Sequence, residues 1–220
     1  MTRESSSPNP GVAVTAGNLN TSRAYFESMY GSDSDPWQFD TSWYEERKYA
    51  LTLASLPQRR YRRAIEPGCA NGSLTARLAE RCDELISFDF IEDVVERARH
   101  RLSDRPNVQV RNETFPDYWP SGTGDLVVWS EVAYYLANPA WQRAVGGLER
   151  WLEPGGTLVA VHYTGGTNYP VSGAAVGRLL DGIEFLERTT ALVDRSFELG
   201  IWQRRAAIGS TTHDSNRRTT

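Results

Sequence analysis

The segment Ala64-Ile65-Glu66-Pro67-Gly68-Cys69-Ala70-Asn71-Gly72-Ser73-Leu74 constrains the fold more than any other part of this chain. It reads as a short apolar strand ending in an acidic residue, then a turn of small residues, then an amphipathic helix opening at Ser73. A strand that feeds such a loop and a helix N-terminus brings backbone N–H groups close to a ligand, as mononucleotide-type half-folds do. The spacing Gly68-x-Ala70-x-Gly72 is not the Gly-x-Gly-x-x-Gly of a dinucleotide site. Glu66 would repel a pyrophosphate but suits a ligand carrying an ammonium and a sulfonium group. Alanine at position 70 costs little provided its φ is negative.

The rest of the chain alternates around that unit. Residues 1–20, with Ser5-Ser6-Ser7-Pro8-Asn9-Pro10-Gly11, lack periodicity and read as a disordered tail, and residues 206–220 as a second flexible one. One domain remains at 21–205, opening with a helical cap over 21–55. Its helices are expected from Ser22 to Met29 and from Thr41 or Ser42, as N-cap, to Ser55, with Glu45 at the capping-box position. Strands are expected at Arg63 to Glu66, Glu84 to Asp89, Val108 to Arg111, Asp125 to Ser130 and Thr157 to His162. Helices are expected at Ser73 to Arg81, Ile91 to Leu102, Trp141 to Trp151 and Ser172 to Leu180. Continuous apolar runs such as Leu126-Val127-Val128-Trp129 belong to strands covered on both faces, so the pattern implies a parallel sheet with right-handed crossovers. Phe185 to Val193 and Ser196 to Arg205 read as a closing antiparallel hairpin turning at Asp194-Arg195.

Charge and cysteine content narrow the chemistry. Lys and Arg total 24 against 28 acidic residues, a net charge of −4, which lacks the basic footprint of a nucleic-acid binder. Cys69 and Cys82 have neither metal-ligand nor disulfide-framework spacing; Cys69 reads as a small loop residue and Cys82 as the last turn of a helix. No metal is expected. No apolar stretch has membrane-span length and the N-terminus lacks a charged-then-apolar leader, so a cytoplasmic protein without a membrane partner is expected.

Further signals follow the loop in order. Asp89 ends the second strand about twenty residues on, where an acidic side chain can accept both ribose hydroxyls of a nucleoside. Phe90 and Ile91 beside it can pack on an adenine face. Asn112-Glu113-Thr114-Phe115 follows the third strand, Ser130-Glu131-Val132-Ala133-Tyr134-Tyr135-Leu136 closes the fourth, and Leu152-Glu153-Pro154-Gly155-Gly156-Thr157-Leu158 is a helix-to-strand turn in which Pro154 stops the helix. Together these resemble the class I S-adenosylmethionine-dependent methyltransferases, whose signature is an acidic residue before Gly-x-Gly-x-Gly. Asp35-Pro36-Trp37, Thr41-Ser42-Trp43-Tyr44-Glu45, Glu66-Pro67-Gly68-Cys69-Ala70 and Ser130-Glu131-Val132-x-Tyr134-Tyr135-Leu136 are similar to the nodulation-protein-S (NodS) type within it, over roughly residues 22–205.

The resemblance implies a Rossmann-like fold with a mostly parallel seven-stranded sheet, an antiparallel C-terminal hairpin and an N-terminal helical cap. It also implies methyl transfer from S-adenosyl-L-methionine to the amine of a small molecule, an amino sugar in members of that type. Small-molecule O-methylation, a non-catalytic S-adenosylmethionine-binding module and a nicotinamide enzyme stay open as alternatives, as does a homodimer. For the cofactor the implied residues are Glu66, Gly68, Ala70, Gly72, Asp89, Phe90, Glu113, Thr114 and Ser130, with Trp37 and Arg47 closing over the methionine carboxylate. For the acceptor they are Glu131, Tyr134, Tyr135, His162 and Tyr163, with His162 the expected general base because its pKa can sit near neutrality. This sequence departs from the family pattern at His162-Tyr163-Thr164-Gly165-Gly166-Thr167-Asn168-Tyr169-Pro170. That loop is expected to help shape the acceptor pocket, so the resemblance leaves the acceptor open between an amino sugar and a secondary metabolite.

Overall fold

In a computed structural model of the chain, the described residues are 23–206. The tail expected at 1–20 lies outside them, as does all but the first residue of the tail expected at 206–220. The chain forms strands β1 (Tyr61–Pro67), β2 (Cys82–Asp89), β3 (Val108–Asn112), β4 (Gly124–Ser130) and β5 (Leu152–Tyr163), then β6 (Leu186–Val193) and β7 (Phe197–Arg204). The helices are α1 (Arg23–Ser32), α2 (Trp43–Ser55), α3 (Ser73–Leu78), α4 (Glu92–Arg101), α5 (Asn138–Trp151) and α6 (Gly173–Asp181). The sheet order is β3-β2-β1-β4-β5-β7-β6. The first five strands run parallel, while β7 is antiparallel to both β5 and β6. This is the mostly parallel seven-stranded sheet with a closing hairpin that the strand–helix alternation implies. No helix among the described residues is long and apolar enough to cross a membrane.

Side chains of the central strands alternate between two buried layers, as the pleat requires. Leu126, Val128, Val159 and Val161 pack with Tyr49 of α2 and Leu74 and Leu78 of α3. Val127, Trp129, Leu158 and Ala160 pack with Leu148 of α5 and Val176 and Leu180 of α6. Because β1 feeds β2 on one side and neighbours β4 on the other, the strand order reverses there. A crevice opens outside the carboxyl ends of the two strands, where open α/β sheets bind ligands.

Three local expectations need correction. Cys82 does not end a helix: α3 stops at Leu78, a 3-10 turn covers Ala79–Arg81, and Cys82 opens β2 in register with Tyr61, fully buried. Pro154 does not stop α5, because Leu152 already pairs with Gly124 as the first residue of β5. Ser42 is the N-cap of α2 but makes no side-chain cap bond, and the Glu45 side chain turns inward to Lys48 instead of back to the helix start.

Gly72, the N-cap of α3, has φ +81°, and a Cβ there would sit 3.2 Å from both Ala98 Cβ and Leu102 Cδ1 of the α4 segment. Gly72→Ala should therefore lower folding stability by about 2–4 kcal/mol through left-handed strain and overpacking. Urea unfolding checks this; an unchanged midpoint would refute the close approach.

Candidate functional site

The crevice is a cavity of about 340 Å³ whose walls come from α1, α2 and the ends of β1, β2 and β4. That size falls within the range of small-molecule sites. Two carboxylates stand on its floor, Glu66 and Asp89, with the turn 68–71 between them. Glu66 lies opposite Ser87 in the β1–β2 register, two residues short of Asp89. Its Oε2 accepts the hydroxyls of Thr75 at 2.6 Å and Ser87 at 2.9 Å, which leaves Oε1 to a ligand. Burial pushes the Glu66 carboxyl up to about 7 despite those two donors. Asp89 accepts the Ala70 N–H on Oδ2 at 3.2 Å and the Ile91 N–H on Oδ1 at 3.1 Å. Burial raises its pKa more than the backbone donors lower it.

Ala70 aims its N–H at Asp89 only by taking φ +46°, not the negative φ expected of an alanine. A left-handed alanine costs about 1–2 kcal/mol, so this turn stores strain where the backbone approaches the cavity. Gly68 has φ +71° and donates to the Phe88 carbonyl at 2.7 Å. Phe90, Ile91, Glu113, Thr114 and Ser130 also line the cavity, and the Glu113 N–H donates to the Asp89 carbonyl at 3.0 Å. Cys69 is buried, and burial raises its thiol well above the usual range, so it is no nucleophile.

The cap closes the cavity from above. Phe26 of α1 meets Phe90 at 5.6 Å and Tyr135 at 5.2 Å between ring centroids, and Trp37 stacks on Phe39 at 5.8 Å. Asp40 straps the linker to the loop, accepting the Ser73 hydroxyl at 2.5 Å and pairing with Arg101 at 2.5 Å. Trp37 lines the cavity as the sequence implies.

Several expected site residues lie elsewhere. Arg47 is outside the lining residues; its guanidinium pairs with Asp194 at 2.6 Å and lies over the Phe197 ring. Gly72 also stands back from the cavity, against α4. His162 shares the strand face of Leu158 and Ala160, so it points into the α6 layer and is 2% exposed. Its Nε2 accepts the Ala133 N–H at 3.1 Å, and burial drives its pKa down to about 4. A neutral, occupied imidazole facing away from the cavity is not its general base. Tyr134, Tyr135 and Tyr163 line the cavity, but burial holds the Tyr134 phenol far above neutrality, so Tyr134 can donate a hydrogen bond and not act as a base.

Glu131 lines the cavity at φ +54° with both oxygens engaged. Oε1 accepts the Tyr44 hydroxyl at 3.0 Å and Lys48 Nζ at 2.8 Å, and Oε2 accepts the Tyr163 N–H at 2.9 Å. Burial alone would raise its pKa, but Lys48 and the other donors overcome this and hold it below the usual carboxylate range. Such a carboxylate is a fixed charge and a poor base, contrary to the catalytic role expected of it. Its partner Lys48 is the residue the sequence reading missed. Lys48 is 1% exposed, lines the cavity and also pairs with Glu45 at 2.9 Å. The i, i+3 pair Glu45–Lys48 was the available signal, although such pairs usually face solvent.

The chain is similar to several known proteins. The family profile described as Nodulation protein S (NodS) matches residues 29–162, more than half of the chain. Nodulation protein S of Rhizobium tropici is 36% identical over 127 residues, covering 57% of this chain and 53% of that protein. The chain spans 53% to 61% of the length of the three nodulation protein S relatives it matches. Among solved structures, a candidate methyltransferase from Pseudomonas syringae shares 42% identity at a TM-score of 0.66, covering 74% of this chain and 100% of that one. The N-methyltransferase NodS from Bradyrhizobium japonicum WM9, solved with S-adenosyl-L-homocysteine, shares the fold at a TM-score of 0.74 and 23% identity, over 84% of this chain and 98% of that one.

Proposed function

Because the chain belongs to the nodulation protein S family, we propose that it transfers a methyl group from S-adenosyl-L-methionine to an amine nitrogen of a small molecule. One observation carries the reading: two buried carboxylates, Glu66 and Asp89, face one cavity across a turn of small residues. Such a pair of acceptors fits a ligand with an ammonium group and a ribose, and rejects a pyrophosphate. The nodulation protein S relatives and the B. japonicum structure with its bound S-adenosyl-L-homocysteine support the same reading.

When bound, S-adenosyl-L-methionine supplies a methyl group already activated on a sulfonium sulfur. The protein then has to bind, orient and exclude water. In this reading Glu66 and the Gly68–Ala70 backbone hold the aminoacyl end, Asp89 the ribose hydroxyls, and Phe90, Ile91 and Glu113 the adenine. The aromatic side chains of the cap keep water from the reacting atoms, and the wall of Tyr44, Lys48, Glu131, Tyr134 and Tyr163 faces the acceptor.

Glu66 gives the binding a pH dependence. Its folded-state pKa of about 7 means that it is protonated on the acid side and charged above. An ammonium ligand prefers the carboxylate, so affinity for S-adenosyl-L-homocysteine should rise from roughly pH 6 to pH 8, and Glu66→Gln should flatten the curve. Equal slopes in the two proteins would remove Glu66 from the ligand. Arg47→Ala, by contrast, should leave that affinity unchanged and cost only about 0.2–1 kcal/mol of stability through its half-exposed ion pair with Asp194. Calorimetry that finds weaker binding in this variant would return Arg47 to the site. The activity itself is tested by incubating the protein with methyl-labelled donor and primary amines. The expected result is label on nitrogen; label only on oxygen, or none, overturns the reading.

A further inference from the structure

We propose that Glu45 is the residue that receives the acceptor amine and takes its proton, because its Oε2 is buried at the cavity wall without a hydrogen-bond partner. This rests on the amine-methylating reading above and assigns the base that His162 and Glu131 do not provide.

Glu45 is 4% exposed and lines the cavity from α2. Its Oε1 accepts Lys48 Nζ at 2.9 Å, while Oε2 has no hydrogen-bond partner. Among the described residues two other buried polar atoms also lack partners, the indole nitrogens of Trp129 and Trp151, but neither residue lines the cavity. A buried carboxylate oxygen with no donor is rare and costly, and one on a cavity wall marks where a donor arrives from outside. Glu45 and Glu131 share a single cation, Lys48, so two negative charges stand against one positive. An arriving ammonium completes the balance.

The two carboxylates have been driven apart in the way that separates acid–base roles. Glu131 is saturated with donors and held ionised, whereas burial raises Glu45 above the usual carboxylate range against the pull of Lys48. The groups facing Glu45 are Lys48, Glu131 and the phenols of Tyr44 and Tyr49; the Tyr49 phenol interacts with the carboxyl and helps to lower its pKa, but no donor reaches hydrogen-bond geometry at Oε2. The step itself is a proton transfer. One N–H bond of the bound ammonium breaks, an O–H bond forms at Oε2, and the electron pair stays on nitrogen, free to accept the methyl group. The proton leaves Oε2 for water after product release.

The test uses the full chain as wild type and as Glu45→Gln. Each is titrated with S-adenosyl-L-homocysteine, then the saturated protein with glucosamine and N-acetylglucosamine as charged and neutral probes. Methyl transfer to glucosamine is then followed against pH. The expected result is unchanged S-adenosyl-L-homocysteine affinity, a wild-type preference for glucosamine that Glu45→Gln loses, and a rate lowered about 100-fold or more with the acid limb gone. If Glu45→Gln fails to fold, Glu45→Asp keeps the charge while withdrawing Oε2, and should likewise hold S-adenosyl-L-homocysteine while losing the amine. Equal binding of the two probes by the wild type, or absence of a preference for glucosamine, overturns the assignment. So does an unaltered rate or pH limb in the variant. Loss of S-adenosyl-L-homocysteine binding in both variants would make Glu45 a cofactor ligand instead. A wild type that does not bind S-adenosyl-L-homocysteine refutes the functional reading itself, and this inference with it.

Discussion

Lys48→Met should lower folding stability by about 3–5 kcal/mol, the largest loss expected from a single substitution in the site. The methionine fills nearly the same volume, so packing is not the cause. What remains is a pair of buried carboxylates, Glu45 and Glu131, without the ammonium that now lies 2.9 Å and 2.8 Å from them. Both must then take up protons or draw in water. Burial opposes the Lys48 charge, yet the two glutamates outweigh it and its pKa is raised, so the ammonium is present across the neutral range. Urea unfolding of Lys48→Met alone and combined with Glu131→Gln makes the test sharp. The second substitution should restore part of the loss, because it removes one uncompensated charge. Simple additivity of the two losses would mean that the cluster is not a coupled unit.

Asp89→Ala should weaken S-adenosyl-L-homocysteine binding by roughly 10- to 100-fold, the equivalent of losing one or two charge-assisted hydrogen bonds. The same change strips an acceptor from the Ala70 and Ile91 N–H groups, so stability should fall by about 1–3 kcal/mol as well. These effects are separable, since calorimetry reads the first and unfolding the second. An unchanged dissociation constant would mean that Asp89 serves only to pin the turn, as its two backbone bonds already allow.

The parts of this molecule written in local pattern were legible. Apolar runs marked the central strands such as β4 and β5, and the small-residue loop with its two acidic neighbours pointed to the crevice. What stayed hidden depended on which way a side chain turns. Arg47 and Lys48 are adjacent on α2, and at 100° per residue they cannot face the same way. The sequence reading sent the arginine inward because its fork suits a carboxylate, whereas the fold buries the lysine between glutamates 3 and 83 positions away. His162 failed for a related reason. It does end a parallel strand, but a strand has two faces, and parity with Leu158 and Ala160 sends it to the helical layer. Glu45 looked like a capping residue, and only its long-range environment makes it a member of the cavity wall.

The central claim is that the cavity between Glu66 and Asp89 is built for S-adenosyl-L-methionine. Calorimetric titration of the wild-type chain with S-adenosyl-L-homocysteine, and in parallel with NADH, tests it most directly. The account predicts saturable binding of S-adenosyl-L-homocysteine at one site per chain and no heat from NADH. Binding of NADH, or silence toward S-adenosyl-L-homocysteine, would contradict it.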